Sequence, residues 1–123
     1  IGVSRDPADQ APLVLKEAQA VIDLLGLGLK VKPEDVTCVG GYWQPKYSVP
    51  NERMVEAVQM LARTEGIPLD PVYTGKIMAG LIGMARQGEF KPDENVLFLH
   101  TGGLPSLHAY EREVLGDVKD LPA

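Results

Sequence analysis

Apolar residues recur at helical spacing in three stretches of the chain. Leu13, Val14, Val21, Ile22 and Leu25 predict a helix over residues 7–25. Asp6 or Asp9 stands where a cap is wanted, and Gly26 and Gly28 stand where the helix must end. Met54, Val55, Val58, Leu61 and Ala62 form a second apolar face. That helix should start after Asn51, a good N-cap residue, run through Thr64 and stop at Gly66. Ile77, Met78, Leu81, Ile82 and Ala85 predict a third helix from about Thr74 to Gln87, with Gly88 as its stop. A short helix is expected near residues 105–112.

Between the helical stretches lie short apolar runs. Val36-Thr37-Cys38-Val39 is a strand candidate, and Asn95-Val96-Leu97-Phe98-Leu99 has the length and apolarity of a buried parallel strand. Ile67-Pro68-Leu69 is a third apolar element, but Pro68 argues against a regular central strand there. Strand and helix alternate, which predicts an α/β fold with a mostly parallel sheet. Ile1-Gly2-Val3-Ser4 reads as the end of a buried strand, so the sequence is expected to be a piece of a longer chain. Residues 1–115 are expected to belong to one unit and residues 116–123 to form a mobile tail.

Composition narrows the function classes. Hydrophobic residues make up 45% and charged residues 24%, an ordinary globular balance. The net charge of −5 comes without a basic cluster, which argues against a nucleic-acid surface. No apolar run is long enough to span a bilayer. Cys38 is the only cysteine, so no internal disulfide forms and a reducing cytoplasm is the expected location. A lone cysteine beside Val39 reads as a small buried hydrophobe or as a reactive thiol. No His/Cys/Asp/Glu cluster has metal-ligand spacing, and no phosphate-loop motif is present.

Candidate chemistry gathers at two junctions and one loop. Residues 40–50 are dense in glycine, proline and aromatics, including Tyr42, Trp43 and Tyr47, a composition typical of recognition loops. At Asp70-Pro71-Val72-Tyr73-Thr74-Gly75-Lys76, an apolar element meets a helix N-terminus, where α/β proteins bind small ligands. Tyr73 is either a ring-stacking or proton-handling phenol, or a partly buried tyrosine with its hydroxyl satisfied. Thr74 is either a ligand contact or a plain N-cap. Lys76 is either a Schiff-base lysine or a solvated first-turn residue. At His100-Thr101-Gly102-Gly103, the hydroxyl of Thr101 has no side chain after it to screen a ligand, although a simple glycine turn fits as well. His100 reads as a base or as a structural histidine.

The segments Tyr47-Ser48-Val49-Pro50, Asp70 to Lys76 and His100 to Gly103, in this order and spacing, resemble one family. It is the group of pyridoxal-phosphate enzymes that joins D-cysteine desulfhydrase with 1-aminocyclopropane-1-carboxylate deaminase. The resemblance covers residues 1–115 and implies part of the large domain of a tryptophan-synthase-β-like fold. It further implies a pyridoxal 5′-phosphate cofactor, a small amino-acid substrate and a homodimer. Tyr73 and Tyr47 would be the catalytic side chains. Thr101 would bond the pyridine nitrogen, with Gly102 beside it and Thr74 lining the site. The Schiff-base lysine and phosphate loop of such enzymes precede this kind of segment, so these residues alone are expected to be inactive.

Two positions discriminate within the family. The deaminases resemble this chain but carry Glu where Thr74 stands and Leu where Thr101 stands. A neutral hydroxyl does not hold the ring nitrogen protonated, which makes the cofactor a weaker electron sink. Expulsion of a thiolate tolerates that, whereas opening a cyclopropane demands more. The resemblance therefore implies a lyase that converts D-cysteine to pyruvate, sulfide and ammonia. The deaminase is the alternative, with L-cysteate sulfo-lyase behind it; the latter pattern has Ser-Ala-Lys in place of Thr-Gly-Lys. A reading from another class is a segment without chemistry that only folds or binds a partner.

Overall fold

The computed structural model describes residues 1–116. Helix α1 spans Pro7–Leu24, α2 spans Glu52–Glu65, α3 spans Thr74–Arg86 and α4 spans Glu111–Leu115. A 3-10 turn at Pro33–Asp35 follows α1, and a 3-10 segment at Leu104–Tyr110 leads into α4. The expected short helix near 105–112 is thus split, with its α-helical part displaced toward the C-terminus. The expected tail from residue 116 lies almost wholly outside the described residues.

The packed unit is α2 against α3, closed at one end by α4. Asn51 caps α2 as expected: its Oδ1 accepts the Met54 N–H at 2.9 Å. Gly66 then ends the helix in the left-handed conformation at φ 68°. Met54, Ala57 and Val58 of α2 pack with Leu69, Met78, Ala79, Val114 and Tyr42 in one core. Close approach depends on Gly75, where a Cβ would stand 2.8 Å from Val58 Cγ2 and 3.1 Å from Met54 Cγ. At the solvent edge Arg86 of α3 grips Glu56 of α2 through two bonds of 3.1 and 2.6 Å.

Helix α1 has no buried residue, and Leu13, Val14 and Val21 on its apolar stripe are exposed. It is tethered by polar contacts. Gln19 bonds the Leu29 carbonyl and the Val31 N–H. Asp6 sits at the N-cap position, yet its carboxylate accepts from the indole N–H of Trp43 at 3.1 Å rather than from the helix.

Among the described residues none lies in a regular strand, so the expected parallel sheet is not seen within them. The segment at 36–39 is joined to the start of the chain by one backbone bond, from Gly2 N–H to the Val39 carbonyl at 2.8 Å. In residues 96–99, Phe98 packs on the core while Leu97 and Leu99 are 92% and 73% exposed. Sheet pairing is non-local, and an apolar run becomes a strand only when neighbours offer their ladders. Helices close their hydrogen bonds internally, which is why these residues hold α1, α2 and α3 at nearly the expected bounds.

Candidate active site

The two junctions singled out in the sequence meet in space. Leu69 and Asp70 are fully buried, and the chain turns at Pro71 and Val72 into α3. The Asp70 carboxylate organises that turn. Its Oδ2 accepts the N–H groups of Val72 and Tyr73 at 2.8 and 2.7 Å. Its Oδ1 accepts the Thr74 N–H at 2.7 Å and the Thr74 hydroxyl at 2.6 Å. The Asp70 carbonyl accepts the Gly75 N–H at 2.8 Å. Free N–H groups at the helix start are thereby satisfied by one acid four residues before Thr74.

Thr74 was expected to line the site or to cap the helix. The structure places it at 0% exposure, its hydroxyl donating to Asp70 Oδ1 and accepting the Asp70 N–H at 2.9 Å. It closes the turn from inside rather than facing solvent. Asp70 was not singled out as a site residue. The available signal was an acid shortly before a helix start, the usual position for satisfying its free N–H groups.

The HTGG turn lies against this acid. Gly102 and Gly103 have φ 96° and 86°, and a Cβ on Gly103 would stand 2.7 Å from Asp70 Cγ. His100 fastens the turn: its Nε2 lies 3.1 Å from the Pro68 carbonyl, and its Nδ1 accepts the Gly102 N–H at 3.2 Å. That pair of partners defines the neutral tautomer with hydrogen on Nε2. Of the two readings of His100, the structural one matches this arrangement. Thr101, between His100 and Gly102, is exposed.

Tyr73 and Tyr47 come together across a gap of 26 residues in sequence, their hydroxyls hydrogen-bonded. Their rings meet edge to face, with centroids 6.0 Å apart. Both are exposed, at 41% and 43%. The bond to Tyr73, more than any other cause, raises the Tyr47 pKa above its ordinary value. Two phenols carry two hydrogens and the shared contact takes one, which leaves the other free for a ligand.

The loop bearing Tyr47 is held from several sides, among them Asn51, whose amide donates to the Tyr42 and Gln44 carbonyls at 3.2 and 2.7 Å. Tyr110 donates to the Ser48 carbonyl at 2.8 Å, so the Ser48 hydroxyl donates to the Tyr110 oxygen. Lys76, in the first turn of α3, is at 0% exposure and donates to the carbonyls of Trp43 and Lys46 at 2.8 and 3.0 Å. The expected solvated lysine is thus a buried one, because the loop folds over it. Burial lowers its pKa below the ordinary lysine value. The three aromatics of this loop divide. Tyr42 belongs to the core, under the Arg53 guanidinium at 5.7 Å; Trp43 ties the loop to Asp6; Tyr47 alone faces out.

Asp70 bonds the Tyr73 N–H and lies against Gly103, so it joins the turn that carries the exposed phenol pair to the turn that carries exposed Thr101, groups of the kind a planar ring with a hydrogen-bonding edge would need. Both oxygens of the Asp70 carboxylate are occupied by the turn, so this acid is not left over to pair with such a ring. Pyridoxal phosphate fits this set: its ring matches the phenol wall and its pyridine nitrogen matches a hydroxyl donor.

Comparison with known proteins gives the same class. Residues 2–102 match the model of the family described as "Pyridoxal-phosphate dependent enzyme", and the chain belongs to that family. It is 50% identical over 110 residues to a D-cysteine desulfhydrase of Klebsiella pneumoniae, covering 89% of this chain and 33% of the relative. A D-cysteine desulfhydrase of Yersinia enterocolitica is 45% identical over 114 residues, or 93% of this chain and 34% of the relative. A crystal structure described as an ACC deaminase homologue superposes with a TM-score of 0.70 at 33% identity, covering 92% of this chain and 33% of that one. The chain spans about a third of the length of these relatives.

Proposed function

We propose that these residues are part of a pyridoxal-phosphate lyase that acts on D-cysteine, giving pyruvate, sulfide and ammonia by α,β-elimination. The observation that carries the reading is the 50% identity, over 89% of this chain, to a protein named D-cysteine desulfhydrase. The absence of a free carboxylate at position 74 supports it, since Thr74 offers only a hydroxyl and that hydroxyl is engaged with Asp70.

Bound pyridoxal phosphate supplies an electron sink for the bonds at the substrate α-carbon. Thr101 would donate its hydroxyl hydrogen to the pyridine nitrogen, and Gly102 would let the backbone approach the ring edge. Tyr73 would wall the ring, with Thr74 holding the turn behind it. The hydrogen of the tyrosine pair that the shared contact leaves free would face the substrate, where it would serve to protonate the leaving sulfur. The parallel sheet expected for the fold belongs to this proposal too. Phe98 turned inward between exposed Leu97 and Leu99 has the alternation of a strand awaiting cover on its second face. A cytoplasmic homodimer, with the remaining cofactor-binding residues outside this stretch, completes the reading.

The test is to supply D-cysteine to the full-length protein with pyridoxal phosphate and measure sulfide and pyruvate. A second reading follows from the likeness to the ACC deaminase homologue. Formation of 2-oxobutanoate from the cyclopropane amino acid, with D-cysteine left untouched, would favour it and sink the first. No turnover of either by the cofactor-loaded protein would favour a segment without chemistry.

A further inference from the structure

Tyr47 and Tyr73 sit on different elements, one on an irregular loop and one at the start of α3, yet their hydroxyls meet. Something must fix the loop relative to the helix. Lys76 stands three residues after Tyr73, and its Nζ donates to the carbonyls of Trp43 and Lys46. Lys46 directly precedes Tyr47. No salt bridge involves Lys76 among the described residues. A buried lysine without a carboxylate is costly, and a plain packing role would be served by Met or Leu. Its two bonds go to backbone carbonyls, whose positions do not depend on which side chains the loop carries.

We propose that Lys76 is a positioning residue, a clamp from α3 to residues 43–46 that sets the Tyr47 hydroxyl on the Tyr73 hydroxyl. The clamp ties both phenols to one helical turn. Asp70 fixes that turn through the N–H groups of Val72, Tyr73 and Thr74, and Lys76 brings the loop to it. The loop's other ties run to Asp6, to Asn51 at the start of α2 and to Tyr110 before α4, none of them to the helix that follows Tyr73. The catalytic importance of the clamp rests on the tyrosine pair handling a proton, as proposed above; its geometric role does not.

The experiment separates the two. The full-length protein is labelled with [13Cζ]tyrosine, the Tyr47 resonance is assigned by loss in Y47F, and its titration is followed in wild type, Y73F, K76M, K76Q and the double variant Y73F/K76M. The groups acting on Tyr47 are Tyr73, Tyr110 and Asp70, so Tyr73 is the one whose displacement matters most. The expected result is that K76M moves the Tyr47 midpoint down, in the same direction as Y73F, with no further shift in the double variant. K76Q, which keeps N–H donors, should restore part of the difference. An unshifted Tyr47 midpoint in folded K76M overturns the clamp, and so does loss of folding in both Lys76 variants, which would make the lysine a core residue. D-Cysteine turnover is read in parallel. A shifted midpoint with unchanged turnover keeps the clamp and removes the proton-handling role of the pair; a shifted midpoint with turnover reduced tenfold or more supports both.

Discussion

Gly103 rests directly on the carboxyl group of Asp70: a Cβ at position 103 would stand 2.7 Å from Asp70 Cγ and 2.9 Å from its Oδ1. Through this contact the HTGG turn inherits its position from the turn that starts α3. Gly103→Ala should therefore cost more than its backbone alone demands. The left-handed φ costs about 1–2 kcal/mol for any L-residue, and overpacking against a buried, fully bonded acid adds about 1–3 kcal/mol. Gly88 is the control, because it has φ 76° with nothing within 4 Å. Urea midpoints of the two alanine variants should differ, with Gly103→Ala the less stable. Equal midpoints would mean the contact with Asp70 carries no weight.

Thr74 makes its two bonds inward, so its loss should be felt in stability. Thr74→Val keeps the shape but leaves the Asp70 N–H buried without an acceptor and removes one donor from Oδ1. The expected cost is about 1–3 kcal/mol, with Thr74→Ser close to wild type. Thermal denaturation reads this directly. If Thr74→Val instead keeps wild-type stability and alters only substrate preference, the residue lines the site after all.

Under the proposed function, Thr101 and the two phenols would serve the cofactor and substrate rather than the fold. Thr101 is exposed, so Thr101→Ala should leave the melting temperature of the cofactor-free protein unchanged. The loss of one hydrogen bond to the ring nitrogen, about 1 kcal/mol, should weaken pyridoxal phosphate binding about fivefold. Cofactor titration followed by absorbance checks it. Tyr47→Phe should lower kcat by roughly 10²–10⁴ if the phenol moves a proton. A Tyr47→Phe enzyme with normal kcat would restrict Tyr47 to packing beside Tyr73.

The sequence was informative where structure is local. Residues Leu13 to Leu25, Asn51 to Gly66 and Thr74 to Gly88 carry their period, cap and stop within one helix length, and the helices form at nearly those bounds. Val36 to Val39 and Asn95 to Leu99 are apolar enough for strands, but pairing needs partners that periodicity does not name. The DPVYTGK and HTGG segments meet where Gly103 lies against Asp70. That contact and the fold-back that buries Lys76 under residues 43–46 left no trace in spacing, because each joins residues 30 or more positions apart. Thr74 drew attention for its chemistry, yet its hydroxyl serves the turn.

Burial of Lys76 also sets a pH dependence whose sign is fixed. Its folded pKa is lowered by desolvation. Between that value and the ordinary lysine value of about 10.4, the unfolded chain binds more protons than the native one, so stability rises with pH. Tyr47 acts oppositely and later. Its folded pKa is raised, so its contribution is whole below the ordinary tyrosine value of about 10 and is lost as pH rises through the folded value. Wild-type urea midpoints should climb toward about pH 10 and fall beyond it. In Lys76→Met the climb should vanish, and the loss beyond should weaken as well, because the contact that raises Tyr47 depends on the clamp. A Lys76→Met protein whose midpoint climbs as steeply as wild type would show that the lysine is hydrated, contrary to its place beneath the loop.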